Sequence, residues 1–473
     1  MILSTHDTKT PLDHLAKLWE LAGGDETALQ SVALSGADPV LPSSFRVGTA
    51  AQVSITAAAL AAAELWKQRG GEVQSVSCNM RAAAIEFRSE RYIHTDGNPP
   101  PPPWDKIAGV YRAGDERWLR LHTNFTHHRD GVLDILGCAN ERAAVQGALA
   151  GWKAQDFEDA AAERGLVVTM MRSFDEWDAH PQGLAVAGLP ALEIIKIGDA
   201  DPRPLPTGER PLSGVRVLDL TRIIAGPVCG RALAAHGADV LRITSPNLPH
   251  IPGLIPDVGR GKLSAFIDLK TKKGCATLKG LVGESDVFSQ GYRPSGLAEL
   301  GFSPQDAARM RPGIIYASLS AYGHEGPWSN RRGFDSLVQT ASGINHAEAQ
   351  AIGIDGPKEL PCQALDHAAG YLMAFGVMTA LKRRATEGGS WLVRGSLAQT
   401  GRWLRSMARI EGGHACADPG FDDIQDLVEL ASSSFGELSV VCHAAKMQKT
   451  PATWSRPSVA LGTHPPEWPE SVL

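Results

Sequence analysis

A chain of 473 residues exceeds what one hydrophobic core usually organises, so at least two domains are expected. The formal net charge of −6 is spread along the chain, which removes the basic footprint of a nucleic-acid binder or of a protein held on an anionic membrane. Seven scattered cysteines include no Cys-x-x-Cys pair, so neither a zinc site nor a disulfide framework is indicated, and a reducing cytoplasm is the expected compartment.

In chain order, Met1–Leu18 carries Asp7, Lys9, Asp13, His14 and Lys17 and lacks the apolar stretch of a signal peptide. The Ala-rich run Ala57–Leu65 is too short, and too closely flanked by charge, to cross a bilayer. Residues 1–97 read as a partial repeat of a larger domain, with an Ala-rich helix after Gly48, the pair Gly70-Gly71 and a strand over Val73–Met80. Asp96–Trp104 is a stiff polyproline-like linker. It opens a smaller α+β domain, 98–200, with a hairpin over Gly109–Leu121 turning at Ala113–Glu116. Helices are expected near Ala143–Lys153 and Phe157–Arg164. A Pro-rich linker, 201–212, leads to the most regular region, 213–400.

There, strands predicted at Val215–Leu220, Ala238–Ile243, Ala265–Leu269, Asp286–Gln290 and Gly313–Ser318 alternate with helices ending near Ala234 and spanning Lys273–Val282 and Ser295–Met310. Such alternation predicts an α/β unit: a Rossmann-like parallel sheet covered on both faces. Pro361–Leu372 leads into an apolar helix, Gly388-Gly389 and a strand over Trp391–Ala398, repeating the order seen after Ser43. Aligned on the Gly-Gly pairs, Gly48 falls opposite Asp366; two unrelated helix–turn–strand units would look the same. Residues 401–473 form a closing segment.

The turn after the first predicted strand runs through Gly226-Pro227 into a helix start, a place suited to phosphate. It lacks G-x-G-x-x-G, and no acid ends the following strand at Thr244, which argues against an NAD site. Arg242, Arg260, Lys262 and Arg293 fall near predicted strand ends, where they would receive phosphates, and Tyr292 offers an adenine a flat partner. Each taken singly reads as well as a solvated surface charge. Asp366 stands at a helix start among small residues, where a carboxylate is as readily a cap as a nucleophile. As a nucleophile it would draw on nearby backbone N–H groups to hold the oxyanion. Asp335 is a second acidic candidate, His324 and His367 are the nearest candidate bases, and no G-x-S-x-G occurs.

Ser213–Pro227, Gly259–Lys270, Gly291–Gly301, Ala321–Pro327 and Gly333–Gly343 follow one another in register with the Asp366 segment. Together they resemble the class III CoA-transferases of the CaiB/BaiF type, the family of formyl-CoA transferase, carnitine CoA-transferase and α-methylacyl-CoA racemase. The resemblance implies a Rossmann-like large domain, a small domain and an interlocked homodimer, with no metal and no permanently bound cofactor. Coenzyme A enters as substrate and product. It implies an enzyme transferring a sulfur-containing group, moving CoA between an acyl-CoA thioester and a carboxylic acid through an aspartyl-acyl anhydride on the residue matched by Asp366. Ile223, Ile224 and Ala225 match the turn that lines the CoA site, although formyl-CoA transferase places an amide side chain where Ile224 stands. The racemases carry His where this chain has Phe334, so transferase is preferred to racemase or isomerase. A non-catalytic CoA-binding member is the remaining alternative. The small-domain-like segment precedes the sheet, so the family order is rearranged, as in two units fused and trimmed.

Overall fold

A computed structural model describes residues 9–469. The first eight residues of the stretch read above as lacking a signal peptide lie outside the described residues. The N-terminal unit comprises α1 (Pro11–Leu21), β1 (Val32–Ser35), α2 (Val47–Gln68), β2 (Val76–Asn79), α3 (Met80–Glu86), α4 (Ser89–Tyr92) and β3 (His94–Thr95). Thr10 and Asp13 form a capping box at the start of α1, which satisfies N–H groups the helix leaves unpaired. The small unit follows: β4 (Gly109–Arg112), β5 (Trp118–Leu121), α5 (Thr126–Leu136), α6 (Arg142–Leu149), α7 (Ala154–Glu163) and β6 (Val168–Met170). Its antiparallel sheet β4-β5-β6 encloses a core of its own around Tyr111, Leu119, Val145 and Phe157. The sheet closes at Met170. After α8 (Phe174–Ala179) and α9 (Pro181–Ala187), β7 (Glu193–Gly198) already lies on the large sheet, ahead of the expected boundary at residue 200.

That sheet continues through β8 (Arg216–Leu220), α10 (Ala225–Ala235), β9 (Asp239–Thr244), α11 (Ile255–Val258), β10 (Lys262–Phe266), α12 (Lys272–Gly283) and β11 (Val287–Gln290). Next come α13 (Pro294–Ala298), α14 (Pro304–Met310), β12 (Ile315–Ser320), α15 (Asp335–Ala341), α16 (Ile344–Ile352), α17 (Ala364–Glu387), β13 (Ser390–Ser396) and α18 (Leu397–Arg405). The order is β10-β9-β8-β11-β12-β13-β7, parallel except for the edge strand β7. Strand order therefore reverses between β8 and β11, the position at which open α/β sheets form a ligand crevice. The side chains alternate with the pleat. Val217, Val240 and Val287 join the core beneath α10 and α17, while Leu218, Leu241 and Phe288 face the opposite layer. Two expectations shift. The helix predicted over Ser295–Met310 is broken by Gly301 at φ 81°, and Ser303 caps a new helix at Pro304. The third strand runs Lys262–Phe266 rather than Ala265–Leu269.

α17 is long and apolar enough by composition to cross a membrane, yet 94% of its most apolar 18 residues are buried in the protein, as in a core helix. α2 packs along it, and the two begin alike: φ/ψ is −79°/61° at Arg46 and −76°/62° at Gln363. Asp38 accepts from the N–H groups of Gly48 and Thr49 as Asp335 accepts from that of Asp366. Matched by helix start, Thr49 rather than Gly48 stands opposite Asp366, one position on from the Gly-Gly alignment. β14 (Val428–Ser433) and β15 (Gly436–Val441) form a hairpin that joins β3, and β16 (Ala445–Met447) pairs with β2. The closing segment thus fastens the N-terminal unit. It then crosses the sheet unit, where Trp454 Nε1 donates to the Arg231 carbonyl at 3.0 Å.

Candidate active site

Asp366 is the third residue of α17, and the start of that helix is capped by another acid. The Asp366 N–H donates to Asp335 Oδ2 at 2.9 Å, the Leu365 N–H also reaches Asp335, and Gln339 Nε2 donates to Asp335 Oδ1. Gln339 Oε1 in turn accepts from the Leu360 N–H at 3.0 Å, which ties down the loop before α17. Asp335 is fully buried, and burial pushes its carboxyl up to about 6. The backbone N–H groups expected to hold an oxyanion are therefore already occupied by Asp335, which acts here as a helix cap.

Asp366 is 6% exposed and opens into a cleft of about 520 Å³ at the C-terminal rim of the large sheet. Among the described residues none donates a hydrogen bond to its carboxylate. Burial, then the charges of Asp335 and Glu90, hold that carboxyl well above the usual range. α17 approaches α10 closely: a Cβ on Gly370 would lie 2.6 Å from the Ala225 carbonyl oxygen. This contact sets Asp366 beside the β8–α10 turn. Ile223 in that turn has φ 71°, a strained conformation for a β-branched residue and one that clusters at functional sites. No side chain caps α10, so its first N–H groups face the cleft at Ala225 and Gly226.

The remaining walls are basic and aromatic. Arg222, Arg293 and Arg332 line the cleft and form no ion pair with any described acid. Arg332 is held low by burial and by Arg293 and Arg222 beside it. From the small unit, Phe125, His127 and His128 complete the wall, with Arg222 over the Phe125 ring at 5.3 Å. Burial, with His127, Arg332 and Arg222 nearby, pushes His128 down to about 3, so it is neutral. The arrangement suits a ligand with several anionic groups at one end and a reactive carbonyl brought to Asp366.

Residues 212–413 match the family model described as CoA-transferase family III. This part of the chain is similar to CoA-transferase family III. Acetyl-coenzyme A transferase nodX of Hypoxylon pulicicidum is 33% identical over 63% of this chain and 54% of its own length. The probable fatty acyl-CoA transferase Rv3272 of Mycobacterium tuberculosis is 34% identical over 38% and 48%. Its crystal structure aligns with a TM-score of 0.38 at 29% identity, covering 42% of this chain and 58% of that one. The chain thus spans about half the length of these curated relatives.

Within the family III segment the residues expected at the CoA site divide. Ile223, Ile224, Ala225, Tyr292 and Arg293 line the cleft together with Asp366. Arg242 lies mid-strand on β9, buried, and reaches a narrow side pocket shared with Arg222, Thr244 and His250. Arg260 and Lys262 do not line the cleft. Lys262 opens β10 at the opposite edge and donates to Asp219 Oδ2 and the Pro227 carbonyl, both at 2.8 Å. Arg260 is buried against Asp257 at 2.9 Å and the Val441 carbonyl at 3.0 Å. Of the two candidate bases, His324 bonds Ser318 Oγ at 2.9 Å and burial pushes it down to about 4; His367 points to Glu90. Arg222 and Arg332 were missed by sequence reasoning. Arg222 lies inside the Ser213–Pro227 motif beside Ile223, and Arg332 immediately precedes the Gly333–Gly343 motif; those positions were the available signal.

Proposed function

We propose that the protein is a CoA-transferase in which Asp366 is the nucleophile, moving CoA from an acyl-CoA thioester to a carboxylic acid. The observation that carries this reading is the Asp366 carboxylate, buried, without a hydrogen-bond donor and open to a cleft with unpaired arginines at the sheet's switch point. A carboxylate held in this way is poorly solvated, which makes it a better nucleophile once ionised. An Asp366 oxygen attacks the thioester carbonyl, the C–S bond breaks, and CoA leaves as the thiolate. The mixed anhydride keeps the acyl group activated, so no ATP is needed. Exchange of the acid on the aspartyl carbonyl and return of the thiolate then pass CoA to the acceptor. Arg222, Arg293 and Arg332 hold the phosphates of CoA, and the unpaired N–H groups at the start of α10 stabilise the oxyanion. The match of relatives named as acetyl-CoA, fatty acyl-CoA and succinyl-CoA:glutarate transferases supports this class without selecting a donor. The family order reads as two units fused and trimmed, with the first unit supplying α2 and no nucleophile.

The test is exchange of label between acyl-CoA thioesters and a panel of carboxylic acids by native protein, Asp366→Ala and Asp366→Glu. Native protein should form an acyl adduct on Asp366, seen by mass spectrometry after trapping, and Asp366→Ala should lose exchange. Full activity in Asp366→Ala would overturn the assignment.

A further inference from the structure

The short α4 of the N-terminal unit reaches the segment that carries the nucleophile, some 270 residues later in the chain. Glu90 Oε2 lies 2.9 Å from Nε2 of His367, the residue after Asp366. Arg91, its neighbour, donates to the Pro361 carbonyl at 2.8 Å and to Gln363 Oε1 at 3.4 Å. Two consecutive side chains therefore hold both flanks of Asp366. Glu90 is 7% exposed and His367 fully buried, with its ring stacked on Phe87 at 5.5 Å. A buried carboxylate is costly to keep, and an apolar pair of similar volume would fill this space at lower cost. Retaining a charge here has a consequence that packing does not, because Asp366 faces it.

We propose that Glu90 is a positioning residue for the Asp366 nucleophile, acting on it through His367 and through its own charge. The inference rests on Asp366 being the nucleophile. The acids facing Asp366 are Asp335 from α15 and Glu90 from α4; His367 follows it on α17; the α10 side offers only Ile224, Ala225 and Gly226. Glu90 itself is pushed up by burial, yet His367 and Arg91 hold it below the usual carboxylate range, so it is ionised when the enzyme works. Its charge then opposes ionisation of Asp366 and keeps that carboxyl more basic.

Glu90→Gln preserves an acceptor for the His367 N–H and removes the charge. The expected result is an acid limb of kcat/KM displaced to lower pH, with KM for acyl-CoA unchanged. A packing role alone would leave the limb where it was. Arg91→Ala, at a side chain 38% exposed, releases the Pro361 flank and leaves Glu90 with His367 as its partner, and should lower kcat with KM held. An unmoved acid limb in Glu90→Gln together with unchanged kcat in Arg91→Ala would overturn the inference while Asp366→Ala remained inactive. Exchange surviving in Asp366→Ala would instead remove the nucleophile itself, so the two failures are distinguishable.

Discussion

Asp366 carries a thermodynamic cost that a measurement can expose. Its folded-state pKa is raised, by burial first and then by Asp335 and Glu90, so the folded protein binds the proton more tightly than the unfolded chain does. Stability linked to this group is complete below the unfolded value and is lost as pH rises through the folded one. Asp366→Asn removes the charge and should be more thermostable than native protein at pH 8, with the gap closing toward pH 4. Melting curves across that range check it, and a gap independent of pH would contradict the linkage. A second residue-scale expectation concerns the unpaired arginines. A hydrogen bond to a charged group contributes about 1.5–3 kcal/mol, so Arg332→Ala should raise KM for acyl-CoA by roughly ten- to a hundredfold. With phosphates bound equally in ground and transition states, kcat should hold. A kcat defect with KM intact would place Arg332 at the reacting carbonyl instead.

Between elements, the decisive contact is the crossing of α10 and α17 at Gly370. A methyl group there meets the Ala225 carbonyl and the Val228 side chain at 2.6–2.7 Å, inside any real contact distance. Gly370→Ala must push the helices apart, at a cost of about 1–3 kcal/mol for overpacking, and it shifts Asp366 away from the β8–α10 turn. Exchange should fall more than stability does. Wild-type kcat in a folded Gly370→Ala would show that the crossing does not set the nucleophile. The elements themselves were largely legible in the sequence, because β-rich runs and helical periods alternate cleanly from Val215 to Ser320. What escaped was the work of side chains with distant partners. Lys262 looked like a loop cation because its acid, Asp219, is 43 residues away on β8, with β9 between the two strands. Arg260 is satisfied by Asp257 and by a carbonyl from the closing segment. The cap on α17 was invisible for the same reason: Asp335 and Asp366 look like two independent acids until the fold brings one under the other's N–H. Alignment on the Gly-Gly pairs puts Gly48 opposite Asp366 while the helix starts put Thr49 there, since the stretch from helix start to Gly-Gly is one residue longer at α17 than at α2.

At the scale of the whole molecule, the cleft is shared between parts with different cores. The closing segment locks onto the N-terminal unit through β16 on β2 and β15 on β3, and α2 of that unit packs along α17 of the sheet unit, so the three are expected to open together. The small unit has a separate core and meets the rest through polar contacts, among them Arg331 with Glu158 at 3.4 Å and Arg332 with the Gly165 carbonyl at 3.2 Å, and through the rings of His122 and Phe125 against Phe334. Its amides in β4, β5 and β6 should therefore exchange with solvent through an opening of lower free energy than those of β8, β11 and β12. That same unit supplies Phe125, His127 and His128 to the cleft wall. On the proposed function, acyl-CoA in this cleft would touch both bodies, and a ligand that binds only the closed arrangement stabilises it by mass action. A non-hydrolysable thioether analogue of acyl-CoA should slow exchange over the first turn of α5 and at the β8–α10 turn, and leave the β14–β15 hairpin unchanged. Protection confined to the sheet side would mean that the small unit stands by the site without contributing to it.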